Sequence, residues 1–102
     1  MANLVIIATT AVPDHVRGAL TRWMIEPNPG LYVGTLSARV RDELWHAVSN
    51  SVGDGAATCI YPHADREQRF AIRTAGQRRR SVIDLDGLQL IQFHAENEQD
   101  PE

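Results

Sequence analysis

Apolar positions along this chain recur with two different periods, and the changes of period outline its elements. Leu4 to Ala8 is an unbroken apolar run with β-branched residues, which predicts a strand buried on both faces. Val12-Pro13-Asp14 then opens a helix, since proline is favoured in the first turn and Asp14 suits the positive helix end. Val16, Leu20, Trp23 and Met24 follow at helical spacing and are expected to face a sheet, with Arg17 and Arg22 off that stripe. Pro27 and Pro29 stop the helix. Leu31 to Gly34 predicts a short strand, and Ser37 an N-cap for a second helix. That helix carries a Val40, Leu44 and Val48 stripe with Trp45 at its edge, and Asn50, Gly53 and Gly55 end it. Ala57 to Tyr61 reads as a strand. After a polar turn opening at Pro62, Phe70 to Thr74 alternates, with Arg69 and Arg73 on one face and Phe70 and Ile72 on the other. Asp86-Gly87 marks a tight turn before a last strand, Leu88 to Phe93.

Two amphipathic helices among several short strands predict an α+β domain, one β-sheet with both helices on one face. The other face needs a cover, and for a chain of 102 residues a second copy is the economical one. Residues 1–94 are expected to form this single domain and residues 95–102 an acidic disordered tail.

Charge changes the picture. The formal net charge is −3, yet six of the ten basic residues fall between Arg66 and Arg80, with Glu67 the sole acid among them. Glu96 to Glu102 carry four acids and no base, so the body before them is close to neutral. A focused positive field on such a body points to a polyanion. All ten basic residues are arginine. Without lysine there is neither a P-loop nor Schiff-base chemistry, whereas the guanidinium fork suits bidentate phosphate contacts. Cys59 is the single cysteine, which leaves no intrachain disulfide. With no signal-like N-terminus and no apolar run of about 20 residues, a reduced, cytoplasmic protein is expected, with no membrane contact.

Four stretches stand in order at close spacing. They are Leu4-Val5-Ile6-Ile7; Val12-Pro13 with Val16-Arg17-Gly18 and Trp23; Tyr32-Val33-Gly34 with Ser37-Ala38 and Trp45; and Arg79-Arg80 with Asp84-Leu85-Asp86-Gly87-Leu88. As an ordered set, reaching to about Phe93, they resemble the CRISPR-associated Cas-two family in its type I-E branch. The resemblance implies a ferredoxin-like homodimer active in spacer acquisition. It also implies a central bridge between two Cas-one integrase dimers, with a short double-stranded DNA held across the assembly. Arg79 and Arg80 match paired arginines that meet the duplex backbone, and Arg17 matches a basic position in the first helix that does the same. Arg78 is an extra base beside the pair, and His15 stands where close relatives have arginine. Glu67 and Asp86 match acids that face the Cas-one partner, although Asp84 and Asp86 also suit plain turn capping.

Members of the family are often described as metal-dependent nucleases with a carboxylate just after the first strand. Here Thr10 falls at that position by alignment from Val12-Pro13, and Thr9 by alignment from the strand. Neither offers the charged oxygen that Mg²⁺ prefers, so no metal and no cofactor are expected. Elsewhere, His15, His46, His63 and His94 lack ligand spacing, Cys59 reads as a buried thiol, and Trp23 and Trp45 read as core anchors. The leading reading is a non-catalytic DNA-binding dimer that bridges integrase dimers. A metal-dependent endonuclease using Mg²⁺ is the first alternative, and a ferredoxin-like interaction module without DNA the second.

Overall fold

The computed structural model describes residues 2–92, so His94 and the acidic segment 95–102 lie outside the described residues. Strand β1 (Ala2–Thr10) leads into helix α1 (Asp14–Trp23), then β2 (Ile25–Asn28) and β3 (Leu31–Ser37). Helix α2 (Ala38–Ser51), β4 (Ala56–Pro62) and β5 (Phe70–Ala75) follow, and β6 (Ser81–Leu85) and β7 (Leu88–Gln92) close the sequence. The first five strands form one antiparallel sheet in the order β2-β3-β1-β4-β5.

The apolar first run forms the central strand, paired with β3 on one side and β4 on the other. Its Ile7 stands opposite Tyr32 of β3 and Cys59 of β4. Alternation then sorts the side chains. Val5, Ile7, Tyr32, Leu36, Ala57, Cys59 and Tyr61 point to the helices and are buried. Val16 and Leu20 of α1 and Leu44, Trp45 and Val48 of α2 pack onto them. Burial pushes the Cys59 thiol up to about 11, so it is an inert apolar group, as its strand context predicts. The Ser37 side chain accepts from the Val40 N–H, capping α2 as expected.

The opposite sheet face has no helix. The register sets Ile25, Val33, Ile6, Ile60 and Ile72 side by side in one row across all five strands. The first strand is therefore buried fully on one face only, with Leu4 half exposed on the other.

Three expectations change. Trp23 is half exposed instead of anchoring the core, because α1 ends at that residue and its turn of inward positions is completed by Leu20 and Met24. Two strands went unread. β2 contains Pro27, which is tolerated because β2 is an edge strand with a register shift and needs no further N–H donor there. β6 pairs with β7 in a separate two-stranded hairpin, not in the main sheet. Its turn is the expected Asp86-Gly87 pair, both residues at positive φ, as a two-residue hairpin turn requires.

The hairpin is fastened by side chains. The Gln89 amide receives the Ile72 N–H at 2.7 Å and donates to the Ile72 carbonyl at 3.3 Å, filling the outer edge of β5 as a strand residue would. Gln68 does the same for the Gln89 backbone. Arg66 donates to Asp84 at 3.1 Å and to the Gly87 carbonyl at 3.3 Å.

Candidate nucleic-acid interface

Two glycines place the arginine run. Gly55 sits where any Cβ would overlap the Thr10 and Ala11 carbonyls, so the loop after α2 lies directly on the end of β1. Gly76, at φ 100°, sits where a Cβ would overlap the Gly55 carbonyl. The chain leaving β5 is thereby stacked on that loop and tied down by its backbone. Gln77 N–H donates to Gly53 at 3.2 Å, Arg78 N–H to Gly55 at 3.1 Å, and Arg79 N–H to Gly76 at 3.2 Å. The backbone is held while the side chains of Arg78, Arg79 and Arg80 remain exposed. They line a recess of about 340 Å³ with Thr10, Thr58 and Ile91.

The six arginines that cluster in sequence do not cluster in space. Arg73 lies on the helix side of the sheet, 3.0 Å from Asp42 and stacked on the Tyr61 ring, whose other cation is Arg41 with its guanidinium carbon 4.0 Å from the ring centroid. Arg41 and then Arg73 hold the Asp42 carboxyl below its ordinary range. Arg66 is spent on Asp84. Arg69 stands just before β5 at positive φ and donates to the Ala64 carbonyl at 3.3 Å. Arg66 and Arg73 are thus paired with acids, while Arg78, Arg79 and Arg80 meet at the recess, with Arg79 also donating to the Gly76 carbonyl at 3.0 Å.

Arg17 is elsewhere, on α1, and it is engaged. It lies 3.6 Å from Glu26 of β2, a carboxylate that is itself pinned by the Gly30 N–H at 2.9 Å. The fully buried Tyr32 hydroxyl approaches both, near enough to favour their charged forms, while its geometry falls short of a hydrogen bond. The Gly30 N–H is the main cause of a lowered Glu26 pKa. A carboxylate with a lowered folded-state pKa adds stability above its unfolded pKa and loses it as pH falls through the folded value. Glu26→Gln keeps an acceptor for Gly30 but removes the charge. Urea midpoints should show the variant less stable than the parent near neutral pH, with the two converging in acid.

Glu67 and Asp86 share one corner. Both are exposed, and the bonds from Arg66 to Asp84 and Gly87 bring the loop that carries Glu67 against the turn that carries Asp86. Asp84 caps that turn, its carboxylate accepting the Gly87 N–H at 2.9 Å, whereas Asp86 supplies a backbone conformation.

The family model described as CRISPR-associated protein (Cas_Cas2CT1978) matches residues 4–90. The chain belongs to that family. Membership in this Cas-two-like family supports a role in CRISPR adaptation. The matched span takes in β1, the α1 stripe, the arginine run and the β6–β7 turn.

The metal chemistry described for the family does not fit the residues here. Thr9 donates its hydroxyl to the Gly30 carbonyl at 3.0 Å. Thr10 opens onto three guanidiniums, and among the described residues no carboxylate lines its recess. Such a surrounding repels a divalent cation and offers it only neutral oxygens. Sequence reasoning found Arg78 to Arg80 and Thr10 separately, and missed that they meet. It had no signal for Thr58 or Glu26, which strand register and a turn bring into place.

Proposed function

We propose that the chain is a non-catalytic, DNA-binding homodimer that bridges Cas-one integrase dimers during spacer acquisition in the cytoplasm. The observation that carries this reading is the recess of Arg78, Arg79 and Arg80 at the end of β1, which no acid among the described residues lines. Guanidiniums so exposed suit phosphate oxygens, and a backbone-only contact is indifferent to sequence.

The strand–helix–strand, strand–helix–strand connectivity with order β2-β3-β1-β4 is the ferredoxin-like arrangement, with β5 added outside β4. It supports dimerisation because one sheet face is left without helices. On that face Leu4 and Ile25 are 50% and 69% exposed, more than an apolar face sustains alone in water. A two-fold axis through it sets two arginine recesses along one duplex. Arg17 joins them by exchanging Glu26 for a phosphate. The corner that holds Glu67 and Asp86 offers the integrase an acidic edge away from these arginines.

A test combines purified chain, Cas-one integrase, linear duplex and a plasmid carrying a CRISPR array. Duplex should be integrated only when both proteins are present. The chain alone should leave DNA and RNA intact with Mg²⁺ or Mn²⁺. Metal-dependent cleavage by the chain alone, surviving repeated purification, would overturn the non-catalytic reading in favour of the endonuclease.

A further inference from the structure

The recess joins residues that are far apart in the chain. Thr10 ends the central strand, Thr58 lies on its neighbour β4, and the arginines descend from the segment before β6. In the β1–β4 register Thr10 stands opposite Ala56 and Ala8 opposite Thr58. The two threonines are therefore diagonal neighbours on the helix-free face, with their backbones roughly 7–8 Å apart. A tetrahedral phosphate spans such a gap, since two of its oxygens each accept a hydrogen bond of about 2.7 Å. Among the described residues, neither threonine side chain has a hydrogen-bond partner within the chain. Ile91 closes the floor with an apolar wall that suits a sugar edge.

We propose that this recess is a seat for a single backbone phosphate, in which Thr10 and Thr58 donate hydrogen bonds to its oxygens while the arginines neutralise its charge. This rests on the DNA-binding reading and extends it. The position where the family is described as carrying a metal-binding acid instead holds a phosphate directly. A hydroxyl donor contributes affinity but releases no counterion, so its signature differs from that of an arginine. A carboxylate at Thr10 would pair with the guanidiniums and close the seat.

Duplex binding by the full-length protein across a salt series tests this. Thr10→Val and Thr58→Val, which swap a hydroxyl for a methyl, should each weaken binding about tenfold or more at fixed salt. Their log-log salt slopes should match the parent. Thr10→Ser should bind as the parent does, which separates the hydroxyl from any packing role. Thr10→Asp should bind worst and with a flatter slope. If both valine variants bind like the parent while Arg79→Ala/Arg80→Ala loses slope, the seat is wrong and the DNA reading stands. If the arginine pair also leaves binding unchanged, both fail.

Discussion

Replacing Arg79 and Arg80 together by Ala should flatten the salt dependence of duplex binding by about 3.6 log units per log unit of salt. The figure follows from roughly 0.9 per phosphate contact, two contacts per protomer, and two protomers. A fourfold rise in salt would then weaken the variant about 150-fold less than the parent, because the variant has fewer counterions left to release. The loss should be similar for duplexes of unrelated sequence. Both side chains are exposed, and the segment is held mainly by main-chain bonds through Gln77, Arg78 and Arg79, so losing the exposed Arg79 bond to the Gly76 carbonyl should leave the fold intact. Arg39 and Arg41 serve as controls. Arg39 pairs with Glu43 at 3.3 Å, and Arg41 is stacked on Tyr61, so replacing them should leave the slope nearly intact. Fluorescence anisotropy over a salt series measures all of these. Identical slopes for the parent and the double variant would place the DNA elsewhere.

Ile60→Asp should convert the proposed dimer to a folded monomer. Ile60 lies in the row Ile25, Val33, Ile6, Ile60 and Ile72, between Ile6 of the central strand and Ile72 of β5. In a face-to-face dimer the new carboxylate would be desolvated without a partner, and the two-fold axis makes it appear twice. Each buried, unpaired charge costs several kcal/mol, and about 4 kcal/mol is already close to a thousandfold in dissociation constant. In the monomer the same side chain meets water, so circular dichroism should report an intact fold. Cys59→Ser, one residue earlier, points to the helix side and should lower stability without splitting the dimer. Light scattering at micromolar concentration separates the outcomes. A dimer that persists with Ile60→Asp would mean that this face is not the interface. Because the recess lies further along the same face, at Thr10 and Thr58, the monomer should also bind duplex with about half the parent's salt slope.

Much of this was legible in the sequence because it is local. The apolar run at Leu4 to Ala8 reads as a strand, Ser37 as an N-cap and Asp86-Gly87 as a tight turn, and the structure has all three. Periodicity and capping act over a few residues, where identity dictates backbone conformation. The ordered motifs likewise pointed to the family that the match over residues 4–90 shows. Where the reading failed, the deciding quantity was not local. Pro27 stopped a helix on propensity grounds, but only the sheet order shows that its strand is an edge, where a missing N–H costs little. Trp23 fitted the inward stripe, but only the helix end leaves it half exposed.

Charge showed the same division. The arginine-rich stretch and the missing carboxylate at Thr9 and Thr10 are plain in the sequence. Which arginines pair with acids was set by the fold. Asp42 reaches Arg73 from α2, and Asp84 reaches Arg66 across 18 residues of chain, removing both from the field. The fold also brought Thr10 under Arg78 to Arg80 through glycine contacts at Gly55 and Gly76. The physical reason is that hydrophobic period and turn chemistry are written residue by residue, whereas an electrostatic site depends on distances that only the closed sheet sets.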